Sequence, residues 1–178
     1  MDQRNMFLNP AQITSYKKSL ALELGTDSQV ADVPNTSKGQ GTFINTLGDF
    51  TYGVTLGNES DTTQNLINGT NTLVTGNFLA PDRYVELTFA GDAGVKWGAA
   101  LVYGGNENKT AGLTRSASQL AARLGVSLDS LQFFGTIAIL SKSKGATTAL
   151  TGANDESLNE WKGKIGLNLG ATYGMDDF

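Results

Sequence analysis

Apolar and polar residues alternate at every second position through most of this 178-residue chain. That is the period of a strand with two unlike faces. In SLALELG, Leu20, Leu22 and Leu24 oppose Ser19, Ala21 and Glu23. In DFTYGVTLG, Phe50, Tyr52, Val54 and Leu56 oppose Thr51, Gly53 and Thr55. Val85, Leu87 and Phe89 oppose Glu86 and Thr88. Val95, Trp97, Ala99, Leu101 and Tyr103 oppose Lys96, Gly98, Ala100 and Val102. Leu120, Ala122, Leu124, Val126 and Leu128 oppose Gln119, Ala121, Arg123, Gly125 and Ser127. Leu131, Phe133, Ile137 and Ile139 share one side of the next segment. In NEWKGKIGLNLGATYG, Trp161, Ile165, Leu167, Leu169 and Tyr173 oppose Lys162, Lys164, Asn168 and Thr172. A weaker stretch, TNTLVTGNF, brings the expected count to eight strands.

The connections sort by length. GDAG and LDSL are tight, whereas GTDSQVADVPNTSKGQG, GGNENKTAGLTRS and KSKGATTALTGANDES are long and polar. With eight strands the tight turns fall at one end and the long loops at the other, as in an outer-membrane barrel. The connection from Asn58 to Gly69 breaks this rule, being long where a short one is expected.

A soluble sheet would bury the apolar face, and a membrane barrel would turn it to lipid. The opposite face decides between them. It is rich in Gly, Ala, Ser and Thr, with isolated Glu23, Glu86, Lys96, Arg123, Lys162 and Lys164. Small residues with a few charges of both signs suit the crowded inside of an eight-stranded barrel better than a solvated sheet. These six charges are the expected lumen set, paired with one another because isolated charge out of water is costly. Tyr52, Trp97, Tyr103, Trp161 and Tyr173 lie toward strand ends, where a lipid-facing aromatic girdle belongs. The fold class expected is all-β: a transmembrane antiparallel up-and-down β-barrel of about eight strands. Residues 1–16 form an N-terminal periplasmic or plug segment, and residues 17–178 the barrel. Met6, Phe7, Leu8 and Ile13 are apolar for a free tail and are expected to plug one barrel end or pack on a neighbouring subunit.

Composition narrows the chemistry. The chain has no cysteine and no histidine, which removes disulfides, thiolate chemistry, the usual zinc sites and histidine-based triads. A net charge of -4 gives no electrostatic case for nucleic acid. The 22 glycines are scattered through patterned segments, so this is no linker composition. MDQRNMFLNP has no basic region followed by an apolar stretch, so the chain reads either as cytoplasmic or as a mature form whose signal has been removed.

The segment NMFLNPAQITSYKKSLALELG resembles the start of several mature outer-membrane proteins, in which an Asn-Pro-Ala segment, here Asn9, Pro10 and Ala11, precedes the first strand. The fatty-acid transporter family shares this feature. Its barrels have many more strands than this chain can supply, so transport does not carry over. FAGDAGVKWGAALVYGGNENK, together with FLNPAQITSYKKSLALELG and FTYGVTLGNES, resembles the small outer-membrane barrels of predatory Gram-negative bacteria such as Bdellovibrio, the PopA type. The resemblance implies a major surface barrel assembled into homo-oligomeric rings that enclose lipid. These motifs carry no catalytic content.

Candidate chemistry is sparse. Asp155 with Glu156 and Asp176 with Asp177 are adjacent carboxylates that read as solvated charge, so no catalytic residue, metal or cofactor is expected. Asn154, Asp155 and Glu156 could touch calcium, although a polar loop accounts for them. Lys142 and Lys144 follow a strand and could meet lipopolysaccharide phosphates, or be a solvated loop. Phe178 is placed like the aromatic C-terminus read by barrel-assembly machinery, though Asp176 and Asp177 break the alternation before it. Small outward residues, Ala99, Ala122, Gly135, Gly163 and Ala171, are candidates for close packing between subunits. The leading expectation is a non-enzymatic, homo-oligomeric outer-membrane barrel with a structural or interaction role and membrane lipid as its partner. A porin-like or hydrophobic-compound transport pore and a soluble, secreted all-β binding module remain open.

Overall fold

The computed structural model describes residues 4–24, 39–58, 76–110, 113–147 and 158–174. A short helix α1 (Arg4–Leu8) and a 3-10 helix (Pro10–Ser15) come first. Asn9 joins them: its side-chain oxygen accepts from the Ala11 N–H at 3.0 Å, and Pro10 needs no donor at the first helical position. Ten strands follow. They are β1 (Ser19–Leu24), β2 (Gly39–Leu47), β3 (Phe50–Leu56), β4 (Gly76–Phe78) and β5 (Arg83–Asp92). Next come β6 (Lys96–Thr110), β7 (Leu113–Leu128), β8 (Leu131–Thr147), β9 (Leu158–Gly163) and β10 (Gly166–Tyr173).

All pairing is antiparallel, in the order β1-β2-β3-β5-β6-β7-β8-β10. β9 and β10 pair in line along one edge of β8, β9 with residues 141–146 and β10 with residues 131–138. They act as one interrupted strand, so the path has eight positions and runs up and down. Both the first strand and the last begin or end at the tight-turn side, where Gly48-Asp49 and Asp129-Ser130 reverse the chain. Gly48 sits at φ 60° and Asp129 at φ 44°, a region that glycine and aspartate tolerate.

Several expectations change. β2 does not appear in the pattern reading; it takes the eighth place that the stretch near Leu73–Phe78 was expected to fill. Of that stretch the described residues, Gly76–Phe78, form a strand that pairs with Gly145–Thr147 of β8 instead of with its sequence neighbours, and the remainder lies outside the described residues. With β2 counted, the connection that follows Asn58 lies at the long-loop end, but only residues 111–112 separate β6 from β7 there, so the length rule holds for three of the four connections at that end. The described residues of GGNENKTAGLTRS, 104–110 and 113–116, and the start of KSKGATTALTGANDES are strand rather than loop, because the ladders of β6, β7 and β8 continue through polar residues. The main chain does not need an apolar face to extend a ladder once its register is set.

The expected closed barrel is not seen. Among the described residues no pairing joins β1 to β10, so the sheet is open. There is a steric reason. An eight-stranded barrel has interior room only for its own side chains. Here two stretches of main chain, residues 5–16 and 78–82, occupy the concave side of the sheet.

Candidate functional site

The two faces of the sheet are inverted relative to an ordinary soluble sheet. Along β5 burial alternates strictly from Arg83 to Ala90, and the buried members are Tyr84, Glu86, Thr88 and Ala90, while Val85, Leu87 and Phe89 are exposed. The concave face continues with Thr42, Ile44, Thr51, Thr55, Ala100, Val102, Ala117, Gln119, Ala121, Ser127 and Ser143. The convex face carries the large apolar groups: Leu22 is 73% exposed, Leu87 53%, Leu124 53% and Leu169 73%. Aromatic rings cluster there near the tight-turn end. Phe50 stacks on Phe89 at 5.1 Å, and Trp97 meets Phe89 at 6.0 Å and Phe50 at 6.2 Å.

The concave interior is built around a buried ion pair. Arg123 on β7 donates to Glu86 on β5 and to the Phe7 carbonyl. Glu86 also accepts from Thr88 at 3.3 Å and from Asn58 at 3.5 Å. Both side chains are almost completely covered, at 11% and 3% exposure, so each charge depends on the other. The same guanidinium ties the N-terminal segment to the wall.

That segment is held at several further points. Asn9 Nδ2 donates to Gln132 Oε1 at 3.2 Å and to the Val126 carbonyl at 3.4 Å, and Gln12 Nε2 donates to Ser127 Oγ at 3.3 Å. Met6 and Ile13 join Ile44 and Ala90 in an apolar cluster. Glycines make the approach possible. A Cβ on Gly98 would lie 2.4 Å from the Pro10 carbonyl carbon, and one on Gly125 would lie 1.9 Å from Asn9 Oδ1. At the opposite end residues 78–82 cross the concave side. Ser143 Oγ donates to the Leu79 carbonyl at 2.7 Å, Asn106 Nδ2 donates to the Ala80 carbonyl at 2.8 Å, and Tyr84 lies over Gly104.

The residues singled out from the sequence distribute unevenly. Glu86 and Arg123 meet. Lys96 and Glu23 share the concave face by register, at strand positions opposite Ser127 and Gln40, but are not part of that pair. Lys162 is on the convex face: Lys142 and Lys162 both bond Glu160, at 2.6 and 2.7 Å. Lys164 falls in the break between β9 and β10 and is exposed. Tyr52, Trp97, Tyr103 and Tyr173 lie on the convex face, as do Ala99, Ala122, Gly135 and Ala171. Trp161 and Gly163 are placed differently, on the concave face with Ser141 and Ser143. The cause is a bulge: Leu120 pairs with Leu140 but Ala121 with Ala138, so Ile139 is extra and the inside–outside alternation of β8 reverses beyond it. β9 follows the reversed alternation, and the break at Lys164–Ile165 restores the original one for β10. Gly135 is also covered: Leu169 Cδ2 would lie 2.7 Å from a Cβ there.

The adjacent carboxylates Asp155–Glu156 and Asp176–Asp177, with Asn154 and Phe178, lie outside the described residues. Among the described residues no three His, Cys, Asp or Glu side chains gather as metal ligands. No helix is long and apolar enough to cross a membrane, which says nothing of strands. The anchors of the N-terminal segment, Asn9, Gln12, Gly98 and Gly125, were not legible as a set. Their one sequence signal is glycine on the polar side of strands that otherwise carry side chains there. No family model, curated protein or solved structure matches this chain.

Proposed function

We propose that this protein is a non-enzymatic outer-membrane barrel with a structural or interaction role, homo-oligomeric and surrounded by membrane lipid. The observation that carries the reading is the inversion of the sheet. Its convex face exposes Leu20, Leu22, Leu56, Leu87, Leu101, Leu124, Phe133 and Leu167, while its concave face buries Glu86, Arg123, Gln119 and a set of threonines. Water is a poor solvent for the first surface, and hydrocarbon would suit it. The strand path supports the same reading, with eight positions and both ends of the path on the tight-turn side. The resemblance to the small barrels of predatory bacteria agrees with a homo-oligomer that encloses lipid.

A solute pore is less favoured. The concave side is occupied by residues 5–16 at one end and 78–82 at the other, which leaves little path for a solute. A soluble binding module would leave the convex apolar face in water.

The two tryptophans provide the test, because they sit on opposite faces. In vesicles containing lipids brominated along their chains, Trp97 fluorescence is quenched and Trp161 fluorescence is not. Each is read alone in the Trp161→Phe and Trp97→Phe variants. Equal protection of both, with a folded monomer in plain buffer, defeats the membrane reading.

A further inference from the structure

The convex face changes character beyond the bulge at Ile139. Up to Leu120 on β7 and Leu140 on β8 it is apolar. Past that level β8 presents Lys142 and Lys144, and β9 presents Glu160 and Lys162. Lys142 lies directly opposite Lys162, and Lys144 directly opposite Glu160. Glu160 bridges two of the ammoniums, with Lys142 Nζ at 2.6 Å from one carboxylate oxygen and Lys162 Nζ at 2.7 Å from the other. Among the described residues Lys144 makes no ion pair. On the other edge of β8, Ser118 pairs with Lys142 and Ser116 with Lys144. Like charges set directly opposite in an antiparallel pair repel. One carboxylate among three ammoniums leaves an excess of positive charge concentrated across two strand pairs, immediately above an apolar surface.

We propose that this patch binds the phosphate of a membrane-lipid headgroup, one not already neutralised by a cation in the same headgroup. The inference rests on the membrane reading above, which puts the apolar rows in hydrocarbon and the patch at headgroup depth. At that depth long lysine stems lie along the apolar surface and their ammoniums reach the polar layer. Lys144 is the first contact, with Lys142 and Lys162 completing the donor set. The hydroxyls of Ser116 and Ser118 are further donors on the same face. Glu160 holds Lys142 and Lys162 at a fixed spacing, and as an anion it sets the upper limit of affinity. The bulge at Ile139 is what brings the lysines outward, since without it the alternation of β8 would turn Lys142 and Lys144 toward the concave side.

The test uses the full chain in vesicles of phosphatidylcholine alone and of phosphatidylcholine doped with bisphosphorylated lipid A. Flotation on a density gradient reads insertion, and phosphate assay after extraction in detergent reads retained lipid A. The variant Lys142→Gln/Lys144→Gln/Lys162→Gln is expected to float with phosphatidylcholine as the parent does. Its affinity for lipid A falls by roughly a hundredfold, each lysine near an anionic surface being worth about fivefold. Glu160→Gln is expected to bind lipid A several-fold more tightly, which a purely structural ion pair does not produce. Unchanged retention in both variants overturns the proposal. Displacement of lipid A by millimolar inorganic phosphate also overturns it, because the site would then be for free phosphate. Flotation without selective retention defeats the proposal alone, whereas failure of the parent to float with either vesicle defeats the membrane reading and the proposal together.

Discussion

At the scale of single residues the interior depends on groups that are each tied to one partner. Arg123 and Glu86 are covered together, so removing one leaves the other charged and without compensation. Arg123→Met is expected to destabilise by about 3–5 kcal/mol, read as a shift in the urea midpoint in detergent. Adding Glu86→Leu to that variant is expected to recover much of the loss, because two apolar groups replace the pair. Gly98 makes a different point, since its Cβ would press on the backbone of Pro10 rather than on a flexible side chain. Gly98→Ala is expected to cost about 1–3 kcal/mol and to lift the N-terminal segment. Protease cleavage within residues 5–16 would then be faster than in the parent. Glu160 lies beyond the apolar rows, where hydrogen bonds from Lys142 and Lys162 hold its carboxyl at about 2 instead of the usual 4.5. A depressed value means that the folded form takes up its proton less readily than the unfolded one. Its contribution is therefore complete above pH 4.5 and is lost as the pH falls toward 2. Amide exchange along β9 is expected to speed up over that interval while β6 and β7 stay protected.

At the scale of elements, pattern and structure agree where alternation is strict and diverge where it is broken. In β5 and β7 every inward and outward assignment from the sequence matches the burial of the described side chains, because a period of two leaves one choice once a face is buried. β2 was missed because Gly39–Leu47 follows a polar run and shows only Phe43 and Leu47 as large outward groups. The sequence pattern predicts one alternation throughout β8 and β9, yet the bulge at Ile139 reverses it. Trp161, Gly163 and Lys162 change sides as a result. A bulge of one residue has no composition signature here, as Ala138, Ile139 and Leu140 are all apolar. Deleting Ile139 is expected to restore regular pairing while Lys142 and Lys144 stay outward, because Leu140 already pairs with Leu120 and Ala138 with Ala121. The measurement is labelling: cysteines placed at Lys142 and at Ser143 keep their order of reactivity toward a membrane-impermeant reagent, and an exchange of reactivity would mean that Ile139 is not the extra residue.

At the scale of the whole molecule the open edges matter most. Among the described residues β1 and β10 each have one edge without a ladder partner, and hydrocarbon does not tolerate such edges. Because the path has eight positions, β1 and β10 run in opposite directions. β10 of one copy can therefore pair with β1 of the next while both keep their tight turns on the same side. Pairing β1 with β1 would invert one copy across the membrane. Under the membrane reading proposed above, this geometry predicts a head-to-tail homo-oligomer, whose larger circumference would also accommodate the main chain on the concave side. Cysteines at Ala21 and Asn168 are expected to give crosslinked dimers and larger ladders on a non-reducing gel. Crosslinked monomer alone would mean that each chain closes on itself.

The sequence by itself determined the strand character, the identity of the two faces along β3, β5, β6 and β7, and the inward positions of Glu86 and Arg123. These follow from a period-two pattern, which is local and repeats within each strand. Only the tertiary structure decided that Glu86 meets Arg123, that Asn9 and Pro10 seat against Gly125 and Gly98, and that the alternation reverses beyond Ile139. It also decided that the sheet stays open. These depend on register between strands and on the volume of main chain lying on the concave side, and neither quantity is encoded in the alternation of any one strand.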